Sequence, residues 1–162
     1  MKIDKPLTTH VALMIRRPAA DCYEAFVEPA VTSKFWFSDG SDRLDATKVV
    51  TWTWAMYGLS SKVMVKELRP EKKIVVEWDH GTDEATTVTW TFTDRGDGTT
   101  MVDVKQTGFS GAPDEQLVKL ADTTSGFALV LAGAKAWLEH GVRLRVVEDV
   151  HPDNHVEGWI ES

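Results

Sequence analysis

Two groups of residues in this sequence have types and spacing that could do chemistry. The first surrounds Trp78: Glu77 and Asp79 flank it and His80 follows before Gly81, while Asp39 and Glu24 sit near the ends of other expected elements. General acid–base catalysis needs a titratable group in a cleft and a second group to orient it. In an extended strand Glu77 and Asp79 point to the side opposite Trp78, which puts them on a solvated face. His80 is then the best single catalytic candidate, with Asp39 behind it, and neither has an evident orienting partner. The expectation is a binding protein rather than an enzyme. Ser110 lies in GFSGA, but a strand precedes and a helix follows without the full nucleophile-elbow pattern. In the tail, Asp149, His151, Asp153 and His155 alternate and are the residue types that ligate zinc or nickel. Pro152 and Asn154 turn that segment into an exposed loop, so neither a metal nor a cofactor is expected.

The second group is apolar and mostly aromatic: Trp36, Phe37, Trp52, Trp54, Met56, Trp78 and Phe109, with Leu120, Phe127 and Leu131 on a later helix. Rings too large to interdigitate leave space, and aromatic walls suit apolar ligands. These residues are expected to enclose a small apolar or aromatic ligand, with Phe37 to Ser41 as a lid. Ordinary core packing is the competing reading.

The element that must position them is the stretch Pro113 to His140. Pro113 suits the first helical position, Asp114 and Glu115 occupy the first turn, and Gly141 stands at the C-terminal cap. Leu117, Leu120, Thr124, Phe127, Leu131, Ala134 and Leu138 form a stripe at helical spacing, along a helix of about 40 Å. Gly126, Leu129 and Gly133 lie on a second face, to be covered either by the C-terminal tail or by a second subunit; a homodimer is slightly favoured. Before this helix come a strand at Thr8 to Arg16, short helices beginning at Ala19 and Pro29, and strands at Lys48 to Tyr57, Leu59 to Leu68, Lys73 to Asp79, Thr86 to Thr93 and Thr99 to Gly108. Short links between strands require antiparallel neighbours, and one long helix can cover only the concave face of the sheet. The order predicts an α+β helix-grip fold: a curved antiparallel sheet of six or seven strands around a long C-terminal helix, with two short helices after the first strand.

With 162 residues and a formal charge of −7, the chain fits one domain with its core at about 8–141 and a tail from 142 to 162. The negative charge argues against nucleic acid and anionic membrane surfaces as partners. Cys22 is the sole cysteine, which leaves no internal disulfide and suits a reducing cytosol. The opening MKIDKPLTTH has no apolar h-region, and no later stretch reads as a bilayer span, so the protein is expected to be cytoplasmic.

Four blocks, VALMIRRPAADCYEAFVEPAVTSKFWFSDGSDRL, VTWTWAMYG, KVMVKELRPEKKIVVEW and AWLEHGVRL, resemble the family named for the C-terminal domain of the heat-shock-protein-90 ATPase activator, within the START-like (SRPBCC, Bet v-like) superfamily. The resemblance covers about residues 8 to 152. It implies the helix-grip fold and a hydrophobic pocket. It also brings two alternatives to simple ligand binding: a chaperone regulator acting through its surface, and a polyketide cyclase or dehydratase. The loop SDGSDRLDATK departs from the family pattern, which has further glycines near positions 42 and 47.

Overall fold

The computed structural model describes residues 1–161. Seven antiparallel strands form one sheet in the order β1-β7-β6-β5-β4-β3-β2. They are β1 (Thr9–Ile15), β2 (Asp39–Gly40), β3 (Val49–Trp54), β4 (Leu59–Arg69), β5 (Lys73–Trp78), β6 (Thr86–Asp94) and β7 (Thr100–Thr107). Helices α1 (Ala19–Val27) and α2 (Pro29–Thr32) follow β1, the long α3 (Pro113–His140) follows β7, and a short α4 (Val146–Val150) lies in the tail. This is the helix-grip architecture.

Alternation builds the sheet's two faces. In β6, Val88, Trp90 and Phe92 are buried, and the register sets Trp90 opposite Val104 and Phe92 opposite Val102 of β7. The intervening threonines lie on the other, wetter face. Helix α1 lays Tyr23 and Phe26 onto this inner face, with ring centroids 5.8 Å from Phe92 and 5.7 Å from Trp90 respectively. Cys22 is buried behind them, and burial pushes its thiol up to about 11; it is a packing residue, not a ready nucleophile.

Helix α3 starts at Pro113, its first turn tied by Glu115, whose carboxylate accepts from the Ala112 N–H at 3.2 Å. It ends on Gly141 at φ 66, a left-handed cap that glycine adopts without strain. Its buried residues are Phe127, Val130, Leu131, Gly133 and Ala134. The expected stripe therefore holds only in the second half: Leu117 and Thr124 are exposed. The first half of the helix buries no residue and borders an opening, touching the sheet side through Thr123, which hydrogen-bonds Thr9 at 2.6 Å. By length and composition α3 also meets the criterion for a bilayer span, with a mean hydropathy of 1.3 over 18 residues, which corrects the reading that no stretch does. The helix packs on β1, β7 and α1, and 28% of that window is buried.

Three further expectations change. Gly133 is buried against this chain's own residues: a Cβ there would lie 3.1 Å from Phe35 Cβ and 3.4 Å from Val146. The tail covers that part of the helix, so Gly133 offers no face to a second subunit. The Phe37 to Ser41 segment is not a lid. It is an edge strand, with Asp39 and Gly40 paired to Thr53 and Trp52; Phe37 is sealed at 1% exposure. Finally, β3 stops at Trp54, and Ala55–Tyr57 form a 3-10 turn closed by Gly58 at φ 64. Alternation ends there, and Met56 leaves the inner face.

Candidate functional site

Trp36 anchors the aromatic group. Backbone bonds from Phe35 and Trp36 N–H to the Thr32 carbonyl continue α2 by a turn, which drives the indole between sheet and helix. Its ring lies 4.9 Å from Trp52, 5.7 Å from Trp78, 5.9 Å from Trp90 and 5.7 Å from Phe127. Trp54 stacks on Trp78 at 5.9 Å with an interplanar angle of 27°.

Three adjoining openings meet at Trp78. The largest, about 470 Å³, runs between Trp36, Trp78, Phe127 and Val130 and the tail residues Val147 and His151. A second, about 400 Å³, is walled by Trp36, Trp54, Tyr57, Leu59, Trp78 and Val147. The third, about 200 Å³, lies over Gln106 and Thr86 with Trp78, Phe109, Lys119 and Thr123 around it. Of the residues expected at a ligand, Trp36, Trp54, Trp78, Phe109 and Phe127 stand on these walls. Trp52, Phe37 and Leu131 are buried in the solid core at 2%, 1% and 0% exposure. Leu120 is half-buried and lines none of the three; Met56 lies on a separate surface recess with Trp159 and Arg143. Gly126, which is exposed, and Leu129, which is half-buried, line the largest opening.

Neither catalytic candidate reaches these openings. His80 Nδ1 bonds Glu77 Oε1 at 2.7 Å on the outer face, where Lys66 also approaches Glu77 at 3.6 Å. The His80 hydrogen bond holds the Glu77 carboxyl below the usual range. Asp39 is exposed on the edge strand.

Asp79 is the residue that alternation misplaces. Its backbone turns left-handed at φ 58, which carries the side chain round to the Trp78 side. There Oδ1 accepts from the buried Ser61 hydroxyl at 2.6 Å, and the residue lines two of the openings. The preceding strand followed at once by His80-Gly81 was the available signal of a break in alternation. The tail supplies the other unforeseen wall. It is held over the cavity by the Tyr57 hydroxyl donating to the Val147 carbonyl at 2.5 Å and by Val156 N–H donating to the Met56 carbonyl at 2.8 Å. His155 bonds the Glu148 carbonyl at 2.7 Å and packs 4.6 Å from Trp159. Among the described residues, no group of three or more His, Cys, Asp or Glu side chains is placed to hold a metal.

The family model described as activator of Hsp90 ATPase homolog 1-like protein matches residues 16–139. The chain belongs to this family. Solved structures similar to this Hsp90 ATPase activator-like chain support the fold. A Staphylococcus saprophyticus protein is 24% identical with a TM-score of 0.71, over 86% of this chain and 96% of that one. DynU16, from the dynemicin biosynthetic locus, is 18% identical with a TM-score of 0.73; this chain is covered over 84% and spans 48% of DynU16. The Aha1 of Colwellia psychrerythraea, described as a dimer, is 18% identical with a TM-score of 0.70, over 83% and 98% of the two chains. The search of curated proteins found no match. The family match ends at residue 139, before the tail residues Val147, Val150 and His151 that line the largest opening.

Proposed function

We propose that this protein binds a small apolar or aromatic ligand between the sheet and α3 without transforming it. The observation that carries this reading is the cavity of about 470 Å³ walled by Trp36, Trp78 and Phe127. Ligand sites range over about 300–1,000 Å³ and are mostly apolar with few polar groups. At about 25 cal/mol per Å², a ring compound that hides about 300 Å² of apolar surface gains about 7.5 kcal/mol. That gain corresponds to an affinity no tighter than micromolar, before ordering costs.

The direct experiment is gentle purification, denaturation and mass spectrometry of whatever small molecule is released, with rebinding followed by tryptophan fluorescence. A stoichiometric apolar compound supports the reading. An empty protein whose melting temperature is moved by no member of an apolar library removes it.

Two other readings have an observation behind them. The Ser61–Asp79 pair beside Trp78 favours a proton transfer to a bound ligand; in that case the released compound is converted by the native protein and not by Asp79→Asn. The family description favours regulation of a chaperone ATPase through the surface. Faster ATP hydrolysis by the chaperone in a stoichiometric mixture would support it, and an unchanged rate would count against it.

A further inference from the structure

Among the polar groups set into the wall of rings, Gln106 carries an oxygen without a partner. Gln106 occupies the inner face of β7 opposite Val88 and is 4% exposed. Its amide nitrogen donates to Thr86 Oγ1 at 2.9 Å, which fixes the amide and leaves Oε1 buried with no partner. A buried carbonyl oxygen without a donor is costly, and proteins rarely keep one without a reason. Gln106 lies beneath the compartment shared by Trp78, Phe109 and Thr123.

The charges around that compartment favour one kind of guest. Asp79 and Glu84 contribute carboxylates to its rim. Lys119 is there too, but its ammonium already donates to Glu84 Oε2 at 2.6 Å and to the Ser110 carbonyl at 2.9 Å. An incoming carboxylate would meet the Asp79 carboxylate, a cation already paired with Glu84 and an unpaired carbonyl oxygen. A hydroxyl or amine would meet acceptors.

Building on the ligand-binding reading above, we infer that the Phe109 compartment is a polar subsite in which Gln106 Oε1 accepts a hydrogen bond from a donor group on the ligand. The cavity then selects neutral aromatic hydroxyl or amine compounds and rejects aromatic carboxylates of equal size. Apolar area sets how tightly a ring is held; Gln106 sets which substituent it must carry and which end enters first.

Four probes test this on the full chain: naphthalene, 2-naphthol, 2-methoxynaphthalene and 2-naphthoate, each titrated while the tryptophan indole N–H resonances are followed. The expected order places 2-naphthol about tenfold tighter than naphthalene and 2-methoxynaphthalene, with 2-naphthoate the weakest. Gln106→Met, close to glutamine in length, should bring 2-naphthol within about twofold of naphthalene while naphthalene binding is kept. The wild-type series decides the matter even if that variant fails to fold. Equal binding of the three neutral probes, or tightest binding of 2-naphthoate, overturns the subsite and leaves the cavity reading standing. Binding of none of the four removes both.

Discussion

The interface between α3 and the sheet has two ends made of the same kinds of side chain, one packed and one open. At the packed end, Phe26, Phe35, Trp90 and Phe92 mesh with Leu131 and Ala134; Phe26 lies 5.3 Å from Phe35 and 6.1 Å from Phe92. Gly133 lets the helix backbone come close to Phe35, and α1 fills what remains. At the open end, Trp78 and Phe109 share an opening with Lys119 and Thr123, on a stretch of α3 from 113 to 126 that buries no residue. Hydrophobicity is thus not what separates a core from a cavity here. At one end α1 and the close approach of Gly133 to Phe35 fill the space between sheet and helix; at the other the rings touch one another and the first half of α3 buries nothing against them.

The sharpest way to break this comparison is to truncate one residue at each end. Leu131→Ala, at the packed end, should cost about 3 kcal/mol and lower the melting temperature by about 9 °C for a chain of this size. Trp78→Ala, at the open end, should cost about 1 kcal/mol, since the ring is only half-buried and leaves an existing opening wider. The same change should weaken binding of an apolar probe at least about tenfold, because an aromatic wall shared by all three openings is lost. Equal destabilisation by the two truncations, read by thermal melting, would abolish the distinction between the ends.

Smaller effects sharpen it. The loop that closes the packed end through Leu44 contains Thr47 at φ 62, where an L side chain is strained. Thr47→Gly should raise stability by about 0.5–1 kcal/mol in denaturant melts, with the gain reduced by the greater freedom of glycine in the unfolded chain. At the open end, Tyr57→Phe removes the hydroxyl bond to Val147. It should cost about 1 kcal/mol or less and should speed ligand release more than it changes stability.

The smallest effect is acidic. Arg43 forms a two-pronged pair with Glu24 of α1, and this hydrogen bonding holds the Glu24 carboxyl below its usual range. A depressed carboxylate stabilises the fold above its unfolded pKa, and that contribution is lost as pH falls through the folded value. The wild type should therefore melt slightly above Arg43→Met at pH 7, by tenths of a kcal/mol for so exposed a pair. The gap should close under acid; a gap that widens on acidification would contradict the assignment.

Much of the fold is legible in the residues. The strict alternation of Val88, Trp90 and Phe92 with threonines dictates β6, and Pro113 and Gly141 punctuate α3 at the observed ends. The site is less so, because it depends on where those regular patterns stop. A left-handed turn at Asp79 reverses which side its carboxylate takes, and a 3-10 turn at Ala55–Tyr57 removes Met56 from the inner face. Helix periodicity placed Leu117 and Thr124 on the core stripe, yet it carries no information about whether the sheet still lies beneath them. The tail wall rests on α4, whose five residues are too few to show a period. Gln106 was within reach: it continues the inward alternation of Thr100, Val102 and Val104, so a polar amide on the buried face could have been read from the sequence.

The strap over the cavity extends beyond the segment that the family model matches. A wall anchored by the Tyr57 hydroxyl and the Met56 carbonyl can be exchanged for another tail without rebuilding the sheet, provided that the anchoring turn is kept. Part of the wall of the largest opening is then set by residues outside the matched segment, while Trp78 and Gln106 stay within it.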